Sequence, residues 1–242
     1  MAANPYNEQH KIHAVFLDRG GCPLCRSPHY SKHIDFPKVP VFKCADCGFI
    51  YSGKIMSQES LESYYKDSFG SDRHIKGQII NAKVNIAVVS RLLDLRKIEN
   101  LLDVGCGYGF FIRNMLDQYK LHEAIGLELS DQEASYAIQK LKLDVRNCSV
   151  ENSNLRHSSF DLVTSFEVIE HLVNPIEFLE KVAALVKPDG YLVIMTDNFE
   201  SRIAVRMGAH FPKWIPHSHV SHFGPGVLIK TFEKIQNFKI QE

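Results

Sequence analysis

Between residues 100 and 196 the chain alternates short apolar runs with amphipathic ones, and this rhythm constrains the fold more than any other feature. Asn100 to Val104 reads as a strand, followed by the turn GCGYG and a helix over FFIRNMLDQY. Glu123 to Glu128 is a second strand, and Ser130 caps a helix over DQEASYAIQKLK. Asp144 to Asn147 is a weak third strand, and Phe160 to Phe166 is a fourth of the fully buried type. Asn174 and Pro175 open a helix that ends before Pro188-Asp189-Gly190, and Tyr191 to Thr196 is the fifth strand. Strand-helix repetition of this kind implies an α/β domain, a doubly wound and mostly parallel sheet with helices on both faces. At 242 residues and 45% hydrophobic, the chain can fill one such core and carry a small appendage.

The turn after the first strand points to a ligand. In Asp103-Val-Gly-Cys-Gly-Tyr-Gly109 the glycines let backbone approach a bound group at the carboxyl end of a strand. Glu128 ends the next strand, 23 positions beyond Gly105, where a carboxylate can accept bonds from ribose hydroxyls. Together they indicate a cofactor containing adenosine. The spacing G-x-G-x-G differs from the G-x-G-x-x-G that seats a pyrophosphate, and Asp103 is a poor neighbour for an anion. S-adenosylmethionine (SAM), with its ammonium and sulfonium, suits an acid by charge complementarity. A nicotinamide dinucleotide is the rival.

Six cysteines stand at positions 22, 25, 44, 47, 106 and 148. Cys22 with Cys25 and Cys44 with Cys47 are two-residue-gap pairs separated by eighteen residues, the spacing of a tetrahedral zinc site. Gly48 suits the tight turn after the second pair. Four cysteine ligands leave no open position, so such a zinc is structural; a redox pair is the alternative. Residues 1–55 are therefore expected to form a zinc ribbon, 56–98 a helical linker and cap, and 99–242 the cofactor-binding domain with a lid at 198–223. In the linker, Ser57 caps SQESLESYYKD, Gly70 and Ser71 interrupt, and an amphipathic run follows with Ile79, Ile80, Val84, Ile86, Val88, Val89, Leu92 and Leu93. Tyr64 and Tyr65 read as packing aromatics, with closure over a ligand as the other reading.

LLDVGCGYGFF resembles the first motif of class I SAM-dependent methyltransferases, which are Rossmann-like. FDLVTSFEVIEHL is similar to the fourth-strand motif of their ubiquinone-biosynthesis-like and related small-molecule branches, and VKPDGYLVIMT to their turn and fifth strand. CPLC…FKCADCGFIYS resembles the zinc ribbon of a subset of bacterial members, many acting on sugars or secondary metabolites, and HSHVSHFGPGVLIKTFEKIQNF the segment leading to their sixth strand. The resemblance covers residues 22 to 242. It implies that Gly105, Cys106 and Gly107 cradle the methionine part of SAM beside Asp103, that Glu128 and Leu129 hold the ribose, that Val150 and Glu151 lie by the adenine, and that Phe166 and Glu167 wall the sulfonium. It also implies a seven-stranded sheet. Phe238 to Gln241 can be the sixth strand, but the seventh is missing, so a shortened chain or completion by a partner copy in a homodimer is expected.

For a hydroxyl acceptor a proton must be removed, and histidine is the usual base. His219 matches the family's H-x-x-x-F histidine and is the first candidate as base or acceptor-orienting group; His222 is second, and His171 of EVIEHL is either a third or a structural histidine. The triplet His217, His219, His222 as a metal site organising a catechol-like acceptor is a further reading. Arg202, Arg206, Lys213 and Trp214 are expected to face substrate from the lid, and would suit an anionic one.

The chain carries 28 basic and 28 acidic residues, a balance unlike that of proteins built to grip nucleic acid. It has no run near a membrane span and no apolar leader at its start, so a cytoplasmic protein without membrane partners is expected. The expectation is transfer of a methyl group from SAM to an oxygen of a small sugar or secondary metabolite. RNA modification using the ribbon, and a non-catalytic SAM-fold subunit, are the alternatives.

Overall fold

The structure is a computed structural model that describes residues 14–61, 72–235 and 238. The chain divides into two compact units: one of residues 1–64, 167–179 and 196–242, the other of 65–166 and 180–195.

The first unit opens with β1 (Phe16–Asp18), β2 (Tyr30–Ile34), β3 (Val41–Cys44), β4 (Ile50–Ser52) and β5 (Lys54–Met56). β1 pairs antiparallel with β5, and β2, β3 and β4 form an antiparallel sheet. Aromatic rings fix its faces: Tyr30 stacks on Phe42 at 4.7 Å, and Phe49 stacks on Tyr51 at 6.2 Å. Ser57 caps the turn after β5, its hydroxyl accepting from the Ser60 amide at 3.3 Å. The rest of the helix expected there, with Tyr64, Tyr65, Gly70 and Ser71, lies outside the described residues.

The second unit holds the alternation. Helix α1 (Asp72–Leu92) leads into β6 (Asn100–Val104), α2 (Phe110–Gln118), β7 (Glu123–Leu127), α3 (Asp131–Gln139), β8 (Asp144–Arg146) and β9 (Phe160–Phe166); α4 (Pro175–Leu185), which belongs to this unit from Glu180 on, and β10 (Val186–Met195) follow. The five strands lie parallel in the order β10-β9-β6-β7-β8. The first strand of the series is central, and the order reverses beside it, between β6 and β9; open α/β sheets bind ligands at such a point. Ala82, Ile86 and Val89 of α1 pack with Leu101, Phe111, Met115 and Leu162. A separate cluster joins Cys106 and Ile112 with Ala134 and Ala137 of α3. The expected apolar stripe of α1 is narrower than its sequence, since Ile80, Val84 and Leu92 are exposed.

β10 starts earlier than Tyr191. Val186 already pairs with Phe160, and the ladder resumes at Tyr191 after a register shift. Pro188 has no N–H to give a ladder, so it falls in the irregular stretch, with Asp189 at φ 62°. Asp161 anchors this end: it accepts from Lys187 at 2.7 Å and from the amides of Glu99 and Asn100.

Back in the first unit, α5 (Arg202–Met207) is capped by Ser201, β11 (Ser221–His222) adds antiparallel to β4, and α6 (Pro225–Phe232) begins with proline in the first turn. The sixth strand expected at Phe238 to Gln241 lies outside the described residues apart from Phe238, which is in no strand. No helix among the described residues is long and apolar enough to cross a membrane.

Candidate active site

The glycine turn between β6 and α2 is built on three left-handed residues: Gly105 at φ 77°, Gly107 at 55° and Gly109 at 79°. A side chain there would be strained, and a Cβ on Gly107 would also run into the Gln78 amide. The turn is tied to the next strand because the amides of Gly105 and Cys106 both donate to the Leu127 carbonyl, at 2.8 and 3.0 Å. Glu128 then bridges back: its carboxylate accepts from the amides of Gly107 at 2.9 Å and Ser130 at 2.7 Å. A carboxylate has about four acceptor sites, so two backbone bonds leave capacity for the hydroxyls of a ribose. Asn147 pins the segment after β7 by donating to the carbonyls of Glu128 and Leu129.

Asp103 is 2% exposed and accepts from the Thr164 hydroxyl at 2.7 Å. Burial, with the nearby Glu128 charge adding to it, pushes its carboxyl up to about 7 despite that bond. Burial and the charge of Glu133 likewise raise Glu128 to about 7. Two acids held neutral-leaning by desolvation at one glycine turn are a site that a cationic ligand would ionise. SAM fits that description, and the anionic pyrophosphate of a dinucleotide does not. Cys106 is a buried packing residue whose thiol is pushed well above its ordinary value by burial.

Val150 and Glu151 sit in a short 3-10 turn, Leu129 projects into solvent, and Phe166 packs edge-on to Phe111 at 4.9 Å. The sequence reading missed three polar residues around the turn. Gln78 accepts from the Tyr108 amide at 3.0 Å and donates to Glu133 at 2.7 Å, while His74 meets the same Glu133 oxygen at 3.0 Å. His74 and Gln78 are one helical turn apart on α1, and that spacing was the available signal.

In the first unit the four cysteines converge. Cys22 and Cys47, and Cys25 and Cys44, have their Sγ atoms 3.5 Å apart, and all four lie within 4.8 Å of one another. Sulfurs around a tetrahedral zinc at 2.3 Å stand about 3.8 Å apart, so the set fits zinc. The second pair sits on a tight turn, with Gly48 at φ 77° and its amide donating to the Cys44 carbonyl.

The same unit gathers a second polar cluster from the segments that leave the carboxyl ends of β9 and β10. Glu167 directly follows β9 at φ 57°, a strained conformation for a residue with a side chain. His171 donates through Nδ1 to the Ser218 carbonyl at 3.1 Å and lies edge-on to His219 with ring centroids 4.7 Å apart. Lys213 bridges Glu167 at 3.2 Å and Asp197 at 2.9 Å. Burial lowers His171 to about 4 and moves His219 well below its ordinary value.

The lid residues differ from expectation. Trp214 is 3% exposed and packs against Phe199 at 4.5 Å, because its indole fills the core shared with Phe36, Val41 and Ile50. His222 is 1% exposed, enclosed by Phe199 and Trp214, and burial lowers it to about 3; it packs and does not face an acceptor. The triplet His217, His219, His222 does not converge on one point; His219 instead groups with Glu170 and His171. Arg202 and Arg206 are exposed, and Lys213 is occupied by its carboxylates.

Comparison with known proteins agrees with this architecture. The profile of a methyltransferase domain family matches residues 77–241, more than half of the chain, and the chain belongs to that family. It is 31% identical over 129 residues to a mitochondrial ubiquinone biosynthesis O-methyltransferase of Dictyostelium discoideum, covering 46% of this chain and 40% of that one. It is 27% identical over 148 residues to the ubiquinone biosynthesis O-methyltransferase of Aliivibrio fischeri, covering 56% and 62%. The chain thus spans less than two thirds of the length of these curated relatives. Among solved structures, a SAM-dependent methyltransferase of Thermotoga maritima, described as a possible histamine N-methyltransferase, superposes with a TM-score of 0.56 at 20% identity, covering 72% of this chain and 78% of that one. A putative methyltransferase of Bacillus halodurans gives 0.55 at 18% identity, covering 66% and 71%. These two likenesses establish the class I methyltransferase fold.

Proposed function

We propose that the chain binds SAM at the Asp103–Gly109 turn and transfers its methyl group to an oxygen of a small-molecule acceptor. The observation that carries the reading is the pair of desolvated carboxyls, Asp103 and Glu128, on either side of a G-x-G-x-G turn. Bound SAM supplies a methyl group on a sulfonium that is already a good leaving group. The chain's own residues then bind and orient: Glu128 takes the ribose hydroxyls, Asp103 complements positive charge, and the glycines admit the methionine portion. The O-methyltransferase names of the curated relatives support oxygen over nitrogen or carbon. A ring hydroxyl like those of ubiquinone precursors joins sugars and secondary metabolites as acceptor class. On the acceptor side His219 is the orienting candidate, and Zn2+ in the four-cysteine site is a structural element of the first unit.

Incubation with methyl-labelled SAM and hydroxyl-bearing acceptors, phenolic and sugar, tests the reading. The expected product carries the label on oxygen. Label found on nitrogen or carbon alone would overturn the oxygen assignment, and SAM that is neither bound nor consumed would overturn the whole reading.

A further inference from the structure

The ribbon that carries the four cysteines also reaches the segments that carry the acceptor-side histidines. We propose that Arg19 and Ser52, two ribbon side chains, are positioning residues for the acceptor site, fixing the segment of His171 against the segment of His219. This rests on the reading that His219 orients the acceptor.

Arg19 follows β1, and its amide donates to the Gly53 carbonyl at 2.9 Å, which ties its backbone to the turn between β4 and β5. Its guanidinium reaches partners 154 and 201 residues further along the chain: Nη2 donates to the Val173 carbonyl, and Nη1 to the Val220 carbonyl at 3.0 Å. A guanidinium is a rigid planar fork, so bonds from both prongs set the distance between the two carbonyls. Among the described residues Arg19 forms no ion pair, and these carbonyls take the place of the carboxylate that such a fork ordinarily meets. The guanidinium is further fixed over the fully buried Tyr51 ring, 5.7 Å from its centre.

Ser52 works from the end of β4. It is 0% exposed, its hydroxyl donates to the Pro216 carbonyl at 2.7 Å, and its amide donates to the Val220 carbonyl at 3.0 Å. The Val220 carbonyl therefore accepts from Arg19 and Ser52 together, which uses both of its lone pairs. The ribbon thus grips the chain on either side of His219. The two segments are also laced to each other: the Val220 amide donates to the Glu170 carbonyl at 2.8 Å, the Ser221 hydroxyl to Leu172 at 2.8 Å, and His171 Nδ1 to Ser218 at 3.1 Å. His219 has no such anchor at Nδ1, which makes no hydrogen bond among the described residues. Its ring takes its place from its backbone and from the edge of His171, 4.7 Å away. Misplacing an orienting group by about 1 Å can cost about 100-fold in rate, so bonds that hold this backbone bear on catalysis. The cysteines join the same path, since Cys44 ends β3 and its amide donates to the Phe49 carbonyl at 2.8 Å, next to the start of β4.

The test compares Arg19→Lys and Ser52→Ala with the wild-type full chain, zinc-loaded, using labelled SAM and catechol as a phenolic probe. Each variant is expected to keep its zinc and to bind SAM within twofold of wild type, which shows that it is folded, while kcat/KM for catechol falls at least tenfold. Lysine keeps the charge of Arg19 without the fork, so a loss in Arg19→Lys reports the bridge itself. A second readout needs no acceptor: the buried Nδ1 proton of His171, followed by NMR, should exchange with solvent at least tenfold faster in both variants. Transfer and exchange within twofold of wild type in Arg19→Lys overturn the role of Arg19, and the same result in Ser52→Ala overturns that of Ser52. Zinc or SAM binding lost in step with transfer overturns both, because the residues then act only on folding. A wild type that binds SAM yet methylates neither phenolic nor sugar hydroxyls overturns the proposed function instead, and the His171 exchange alone then decides whether the two residues fix these segments.

Discussion

The glycine turn of the second unit and the histidine–carboxylate cluster of the first are both polar sites, but they handle their polar atoms differently. At the turn, Glu128 and Asp103 have found internal donors: two backbone amides for one and a threonine hydroxyl for the other. In the cluster, Glu170, Asp197 and His219 each keep a buried atom without a hydrogen bond. The first site is held by its own backbone and awaits a ligand's charge. The second is left incomplete by its own side chains. One site is thus preorganised by bonds that neighbouring strands of one sheet make to each other, and the other is assembled from segments that leave some of their polar atoms unsatisfied.

The largest expected effect separates the units. Removing the proposed zinc by chelation, or Cys44→Ser, should unfold the β2–β4 sheet, because structural zinc contributes on the order of 10 kcal/mol of apparent binding energy to such folds. Metal analysis should read about one equivalent lost, while SAM affinity in the second unit changes by less than about threefold. Equal loss in both units would break the comparison.

Next in size is Trp214→Ala, which empties the core shared with Phe36 and Phe199. A cost of about 3–5 kcal/mol is expected in denaturant unfolding, against little change in SAM binding. A mild stability effect with a large loss of activity would instead restore Trp214 to the substrate-facing role that its sequence position suggested.

At the turn itself, Glu128→Ala should weaken SAM binding by about 1.5–3 kcal/mol, roughly 10- to 100-fold, the worth of hydrogen bonds to a charged group. Calorimetry reads this directly. The smallest effect is on pH. The folded-state pKa values of Asp103 and Glu128, about 7, lie above their ordinary 3.8 and 4.5, so between those values the folded chain binds more protons than the unfolded one. Their contribution to stability is therefore present at low pH and is lost as pH rises toward 7. SAM should bind more tightly as pH rises through that window and should release protons on binding. Asp103→Asn should reduce the proton release.

How much was legible follows the same division. The strands from Asn100 to Phe166 and the Asp103–Gly109 turn could be read because each is a local pattern, an apolar run beside a fixed arrangement of glycines. The four cysteines were legible for the same reason, as two local pairs. The cluster was legible only in part: the resemblance offered His171 and His219 for one acceptor site, and their rings do meet, whereas Glu170 joins Asp197 and His219 only after the chain has passed through α4 and β10, and spacing along the sequence carries no trace of that meeting. Reading HxHxxH as a local unit picked up His222, whose ring the fold spends on packing against Phe199 and Trp214. Gln78 was hidden likewise, since its partners Tyr108 and Glu133 lie on other elements.

The most direct test of the central claim is a calorimetric titration of the wild-type chain with SAM at pH 7.5, alongside NAD. One SAM per chain, at least tenfold tighter than NAD and weakened by Glu128→Ala, is the expected result. No measurable SAM binding, or NAD binding more tightly, would contradict the assignment of the glycine turn and its two carboxylates.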